Sequence, residues 1–325
     1  MNTKKIKTAI IVMLVLANIF FIYNLYMLKE NTSRIPRQMI EDAVTVLRKN
    51  GLNISKEAIP DIKPQNYIYE GVYSPEVFEE IAKSLSESEI SNTFHRPGGV
   101  TYNAGEYKFD FEEFSDGFGD SSDYFTISIT NISEVSSHDL SDQSGGDIYE
   151  DYEDLATKIE NLILSGLKDH KKSDISRAEN VIINFLKKYQ PGAVDFETVG
   201  FQKNEESEYI VIKQKLDGLA FNSHVLFAEI SGKKVRSFRG KWYFGEFAEG
   251  LYMPLLDSVN ILFKCLEKDG NAIQDGEEVK IIELYYSILW HEKNKFYLIP
   301  SWRLSFDSGK VLSYNTLTGD RLTNN

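Results

Sequence analysis

The chain carries a single cysteine, Cys265, so no disulfide can form within it. That thiol sits in Leu262-Phe263-Lys264-Cys265-Leu266, an apolar setting that raises a thiol's pKa and leaves it inert, so a place in a core is expected. Histidine is scarce too. The five (His95, His138, His170, His224 and His291) are scattered without the spacing of metal ligands, and His224 falls inside a predicted strand. There is no His-Glu-x-x-His, no Gly-x-Ser-x-Gly and no glycine loop of the kind that cradles phosphate. Carboxylates are abundant, but a hydrolytic pair needs a defined separation in space, which abundance does not supply. These absences leave no catalytic residue, cofactor site or metal site to expect. Positive charge is also in short supply, with 36 Lys and Arg against 49 Asp and Glu and a net charge of −13. Setting aside Lys4, Lys5 and Lys7 leaves the rest near −16, which argues against binding nucleic acid or anionic lipid headgroups.

Apolar residues, by contrast, are plentiful. Residues 9–28 carry no charge, and Asn18 and Asn24 are their only strong hydrogen-bonding side chains. A run of about 20 apolar residues is long enough to cross a bilayer, and in lipid it must be helical to satisfy its own backbone. The three lysines before it place the short tail (1–8) in the cytoplasm and the bulk of the chain outside, with Tyr23 and Tyr26 at the outer interface. A cleaved signal peptide would have a shorter core and small residues after it; Tyr26-Met-Leu-Lys-Glu-Asn31 offers none. Asn18, with Ala17 and Phe21 beside it, either meets a partner helix in the membrane or bonds its own helix backbone and takes no part in recognition.

Roughly 295 residues follow, more than one core usually holds, so two or three domains are expected. Pro36 suits the first turn of a helix ending near Asn50, with Met39, Ile40, Ala43, Val44 and Leu47 on one face. A shorter helix is expected over 75–85, and strands over 107–111 and 124–130, where apolar and polar residues alternate. Between Glu106 and Asp154 lie fifteen acidic residues and one basic one, with Gly/Ser-rich loops at 115–123 and 136–147. Such loops could hold Ca²⁺, yet neither has EF-hand spacing, and a solvated charge run is the simpler reading. A helix with Leu155, Ile159, Leu162, Ile163 and Leu167 on one face follows.

From Ser173 the chain repeats a plan. A helix with Ile175, Ala178, Val181, Ile182, Phe185 and Leu186 on one side leads into strands and the turn Ser231-Gly232-Lys233. A helix opened by Pro254 leads into strands over 279–290, 295–299 and 302–306 and the turn Ser308-Gly309-Lys310. After each turn the sequence reads Val-x-Ser-aromatic. Trp242, Trp290 and Trp302 could stack on carbohydrate, but strand aromatics are usually core. The expected architecture is α+β: a transmembrane helix (9–28), a first domain with acidic loops (33–168), and two helix-plus-antiparallel-sheet domains (173–250 and 253–325).

The opening Lys-x-Lys-Thr-x-Ile-Ile-Val-x-Leu-x-Leu-x-Asn-Ile-Phe, from Lys5 to Phe20, resembles the start of the YycI proteins of Gram-positive bacteria. The end is similar as well: Tyr285-Tyr286, Leu298-Ile-Pro-Ser-Trp-Arg-Leu304, a glycine turn, Tyr314-Asn315 and Thr318-Gly319. The likeness covers the two ends; the acidic middle departs from it. It implies a single-pass accessory regulator of the WalK (YycG) sensor histidine kinase, acting with a YycH-like partner on cell-wall metabolism and without catalytic residues. Helix-then-sheet repeats also occur in PepSY-like modules that inhibit secreted peptidases, which gives a second expectation. An envelope scaffold or ligand sensor is a third.

Overall fold

Five stretches of the chain repeat apolar residues every three or four positions, and each is a helix in the computed structural model. They are α1 (Arg37–Lys49), α2 (Phe78–Ser86), α3 (Ile148–Ser165), α4 (Lys172–Leu186) and α5 (Ser258–Asp269). The strands before α4 are β1 (Asn53–Ile54), β2 (Tyr67–Val72), β3 (Ile90–Arg96), β4 (Gly99–Ala104), β5 (Tyr107–Glu112) and β6 (Thr126–Asn131). Between α4 and α5 come β7 (Phe196–Lys203), β8 (Glu208–Leu216), β9 (Leu219–Ser231), β10 (Lys234–Lys241) and β11 (Ala248–Tyr252). After α5 come β12 (Glu278–Glu292), β13 (Lys295–Phe306), β14 (Val311–Asn315) and β15 (Arg321–Leu322). The structure describes residues 34–64, 67–72, 77–96, 99–112, 126–131, 148–168, 170–189, 195–245, 247–270, 277–292 and 295–322, besides Asn18 and Ile273. The architecture is α+β and rich in sheet. Among the described residues no helix is long and apolar enough to cross a membrane. The expected span, 9–28, lies outside them apart from Asn18, which is helical and exposed.

The chain folds into two compact units, and neither is a continuous segment. Unit 1 takes residues up to 68, then 251–284 and 299–324; unit 2 takes 69–250 and 285–298. The expected run of three consecutive domains is therefore not how the contacts divide, because β12 and β13 each contribute residues to both units.

In unit 2 eight antiparallel strands form one sheet in the order β7-β8-β9-β10-β6-β5-β4-β3. Alternation along the strands gives the sheet two apolar faces. Ile210, Ile212, Leu226 and Ala228 join α2 and α4 in one core, while Val211 and Phe227 pack with Leu162 of α3 in another. On α4 the buried residues are Ala178, Ile182, Phe185 and Leu186, the stripe expected from the sequence. In unit 1 the core joins Ile40, Ala43, Val44 and Leu47 of α1 to Val259, Ile261, Leu262 and Cys265 of α5, over Trp302, Leu304, Leu312 and Tyr314.

The repeated plan holds in order and in turn chemistry: Gly232 and Gly309 both adopt positive φ, +58° and +85°, at their hairpin turns. Two boundaries differ. The last helix begins at Ser258 and not at Pro254, because the Asp257 carboxylate accepts the Asn260 N–H at 2.9 Å and so caps it. The strands expected over 295–299 and 302–306 are one strand, β13. Pro300, which has no N–H to donate, falls between the residues paired with β2 and those paired with β14, and its carbonyl accepts from both the N–H and the hydroxyl of Thr316.

Candidate functional site

The residues that drew attention in the sequence are mostly structural. Cys265 is fully buried in α5, and burial pushes its thiol up to about 11. Beside it the Tyr314 hydroxyl donates to Asp269 at 2.7 Å, and Arg321 pairs with the other carboxylate oxygen at 3.0 Å. That chain of contacts fastens α5 to β14 and β15. Trp302 and Trp242 are 0% and 2% exposed, so neither presents a stacking surface. Tyr286, in unit 2, is buried edge-on to Tyr69 and Phe221, and its hydroxyl has no hydrogen-bond partner among the described residues. His95 is exposed on β3, and His170 meets the ring of Phe201 edge-on at 5.1 Å. His224 and His291 lie in β9 and β12, their side chains not described, and His138 is outside the described residues. So are Ala17, Phe21 and both acidic loops. Among the described residues no three His, Cys, Asp or Glu side chains converge as metal ligands.

A concave site lies on unit 2, along the outer face of α4. Because α4 turns Ala178, Ile182, Phe185 and Leu186 to the sheet, Ser173, Ser176, Arg177, Asn180 and Asn184 fall on the opposite side. With Val181 and with Lys233 from the β9–β10 turn they line a groove of about 540 Å³. Its cation is held in place. Arg177 pairs with Glu208, whose carboxylate is almost wholly buried, and Lys203 bridges Glu208 at 3.6 Å and Asp174 at 3.0 Å. The Lys203 ammonium holds the Asp174 carboxyl below its ordinary range. Hydroxyls, amides and two cations, with no nucleophile–base pair among them, suit a polar or anionic ligand. Reasoning from the sequence passed over this groove, since polar residues opposite an apolar stripe read as a solvated face. The signal available was that four of these positions are Ser or Asn, where solvated helix faces usually carry Lys and Glu.

Of the residues that carry the resemblance at the C-terminus, Tyr285, Tyr286 and Leu298 belong to unit 2, and those from Ile299 onward belong to unit 1. The Trp302 indole N–H donates to the Leu256 carbonyl at 3.0 Å, while Ser301 and Trp302 pair with Asn315 and Tyr314 across β13 and β14. The Asn315 side chain accepts from the Leu317 N–H at 2.7 Å, its carbonyl accepts from the Gly319 N–H at 2.9 Å, and the Thr318 hydroxyl accepts from the Asp320 N–H at 3.2 Å. Each of these groups closes a turn or fills the core.

No family model matches the chain, and no curated protein matches it. Among solved structures, an uncharacterized protein from Eubacterium rectale aligns over 84% of this chain and 90% of its own, at 10% identity and a TM-score of 0.39. The C-terminal domain of Bacillus megaterium YpeB aligns over 78% of this chain and all of its own, at 11% identity and a TM-score of 0.29. Likenesses this weak carry no argument about function.

Proposed function

We propose that the chain is a membrane-anchored extracytoplasmic accessory protein of the YycI type, which works by binding and modulates a sensor histidine kinase together with a YycH-like partner. The observation that carries this reading is the interlocking of the C-terminal motif. Trp302 donates to the Leu256 carbonyl and Asn315 accepts from Leu317 and Gly319, so these residues of the motif serve the build of unit 1, as a binding protein without catalytic residues would use them. Regulation requires only that the protein bind two kinase states with different affinity; a difference of about 1–3 kcal/mol is enough. In the membrane, Asn18 with Ala17 and Phe21 is the face proposed to meet the kinase, an amide hydrogen bond there being worth about 0.5–2 kcal/mol.

The test is co-purification from the native membrane with a tag on Asn325, for wild type, Asn18→Leu and a full anchor swap. Recovery of a sensor kinase with wild type, reduced by Asn18→Leu and abolished by the swap, supports the reading. Absence of any kinase, or recovery of a secreted peptidase with either anchor, overturns it. The second result would favour the PepSY-like inhibitor. The α4 groove favours one other reading, a sensor of a polar envelope ligand, since hydroxyls, amides and the Arg177 and Lys233 side chains line it.

A further inference from the structure

The chain enters unit 1 at Arg34 and is pinned there. Arg34 forms an antiparallel bridge to Ile62, the Ile35 N–H donates to the Asp61 carbonyl at 2.6 Å, and the Arg34 guanidinium reaches the Asp61 carboxylate at 3.3 Å. Around this point the surface departs from the acidic character of the chain. Arg34, which pairs with Asp61, and Arg37 and Lys63 are all exposed, and neither Arg37 nor Lys63 has an ion pair among the described residues. The next acids along α1, Glu41 and Asp42, already face Lys56 and Gln38. Two apolar side chains lie open on these segments, Ile62 (44% exposed) in the bridge to Arg34 and Met39 (41% exposed) in the first turn of α1. Only residues 29–33 separate Arg34 from the apolar run, a reach of about 20 Å when fully extended.

We infer that this rim of unit 1 (Arg34, Arg37, Met39, Ile62 and Lys63) rests on an anionic lipid headgroup surface. The inference rests on the anchored reading above. It follows from the short leash, which keeps the rim near the bilayer, and from charge complementarity, which gives it something to hold. Exposed apolar tips next to basic side chains are what an interfacial surface presents. The average charge hides this contact: the excess of acid lies in 106–154, and the rim is locally basic.

The experiment uses the full chain in lipid nanodiscs with a fluorophore on Ile62→Cys. Cys265 is fully buried, so labelling is confined to the new thiol. Quenchers are attached to lipid headgroups or dissolved in the buffer, in anionic and in zwitterionic discs. Expected is quenching mainly from the lipid side, stronger in anionic discs. It should drop about threefold or more in Arg37→Glu/Lys63→Glu, because each basic group near an anionic surface shifts partition by about fivefold. A chain that stays in the disc but whose label is quenched only from the buffer, or equally in both variants, overturns this inference and leaves the anchor standing. A chain that alkaline carbonate strips from the membrane overturns the anchor and this inference with it.

Discussion

At the scale of single residues, Cys265 lies fully buried in α5 beside Tyr314, whose hydroxyl donates to Asp269. Cys265 reads as a core thiol from its neighbours alone, and it is one. The contacts that hold it, Tyr314 to Asp269 to Arg321, were not legible, since they join residues up to 52 positions apart. Burial gives the thiol a folded pKa near 11, against about 8.5 in an unfolded chain. With the folded value raised, the unfolded chain loses its proton first as pH climbs. The thiol's contribution is therefore whole below about pH 8.5 and is lost as pH rises toward 11. Expected is a thermal midpoint that falls more steeply over that window in wild type than in Cys265→Ala. A colorimetric thiol reagent at pH 8 should find no reactive group in the native protein and one per chain after unfolding. Reaction at full rate without denaturant would contradict the buried placement.

At the scale of elements, helices were the easier part. The stripes of α1 and α4 fall where periodicity puts them, while β3, β4 and β7 carry no clear alternation and were not foreseen. In β4 five of six positions are buried, so no polar face marks it as a strand. In β7 a bulge between Thr198 and Gly200 interrupts the period. That glycine has a reason. A Cβ on Gly200 would lie 2.7 Å from the Leu162 carbonyl oxygen, so α3 can approach β7 only if position 200 has no side chain. Gly200→Ala should push α3 off the sheet and destabilise the protein by about 1–3 kcal/mol. Denaturant titration would measure the loss, and hydrogen exchange should place it in α3 and β7 while α1 and α5 of unit 1 keep their protection. Unchanged exchange in α3 would contradict the close approach.

At the scale of the whole molecule, composition misled in one respect. The net charge of −13 suggests an acidic surface throughout, but residues 106–154 alone carry fifteen acids and one base, which leaves the remainder at +1. Fold class was legible from helical and alternating patterns. The division into units was not, since one unit's chain is interrupted by the other's and no change in composition marks where. A consequence can be checked by proteolysis. One cut between Asn131 and Ile148 leaves a first fragment with α1 and β1 of unit 1, α2 and β3 to β6 of unit 2, and β2, which contributes to both, and a second fragment with the rest. The nicked protein should run as a single species in gel filtration and separate only in denaturant; release of either fragment under native conditions would contradict the interleaving. Interleaving also sets a load path. Arg34 and β15 both belong to unit 1, so under the anchoring proposed above a pull between the membrane and the chain beyond β15 would act between two points of one unit and strain unit 1 first.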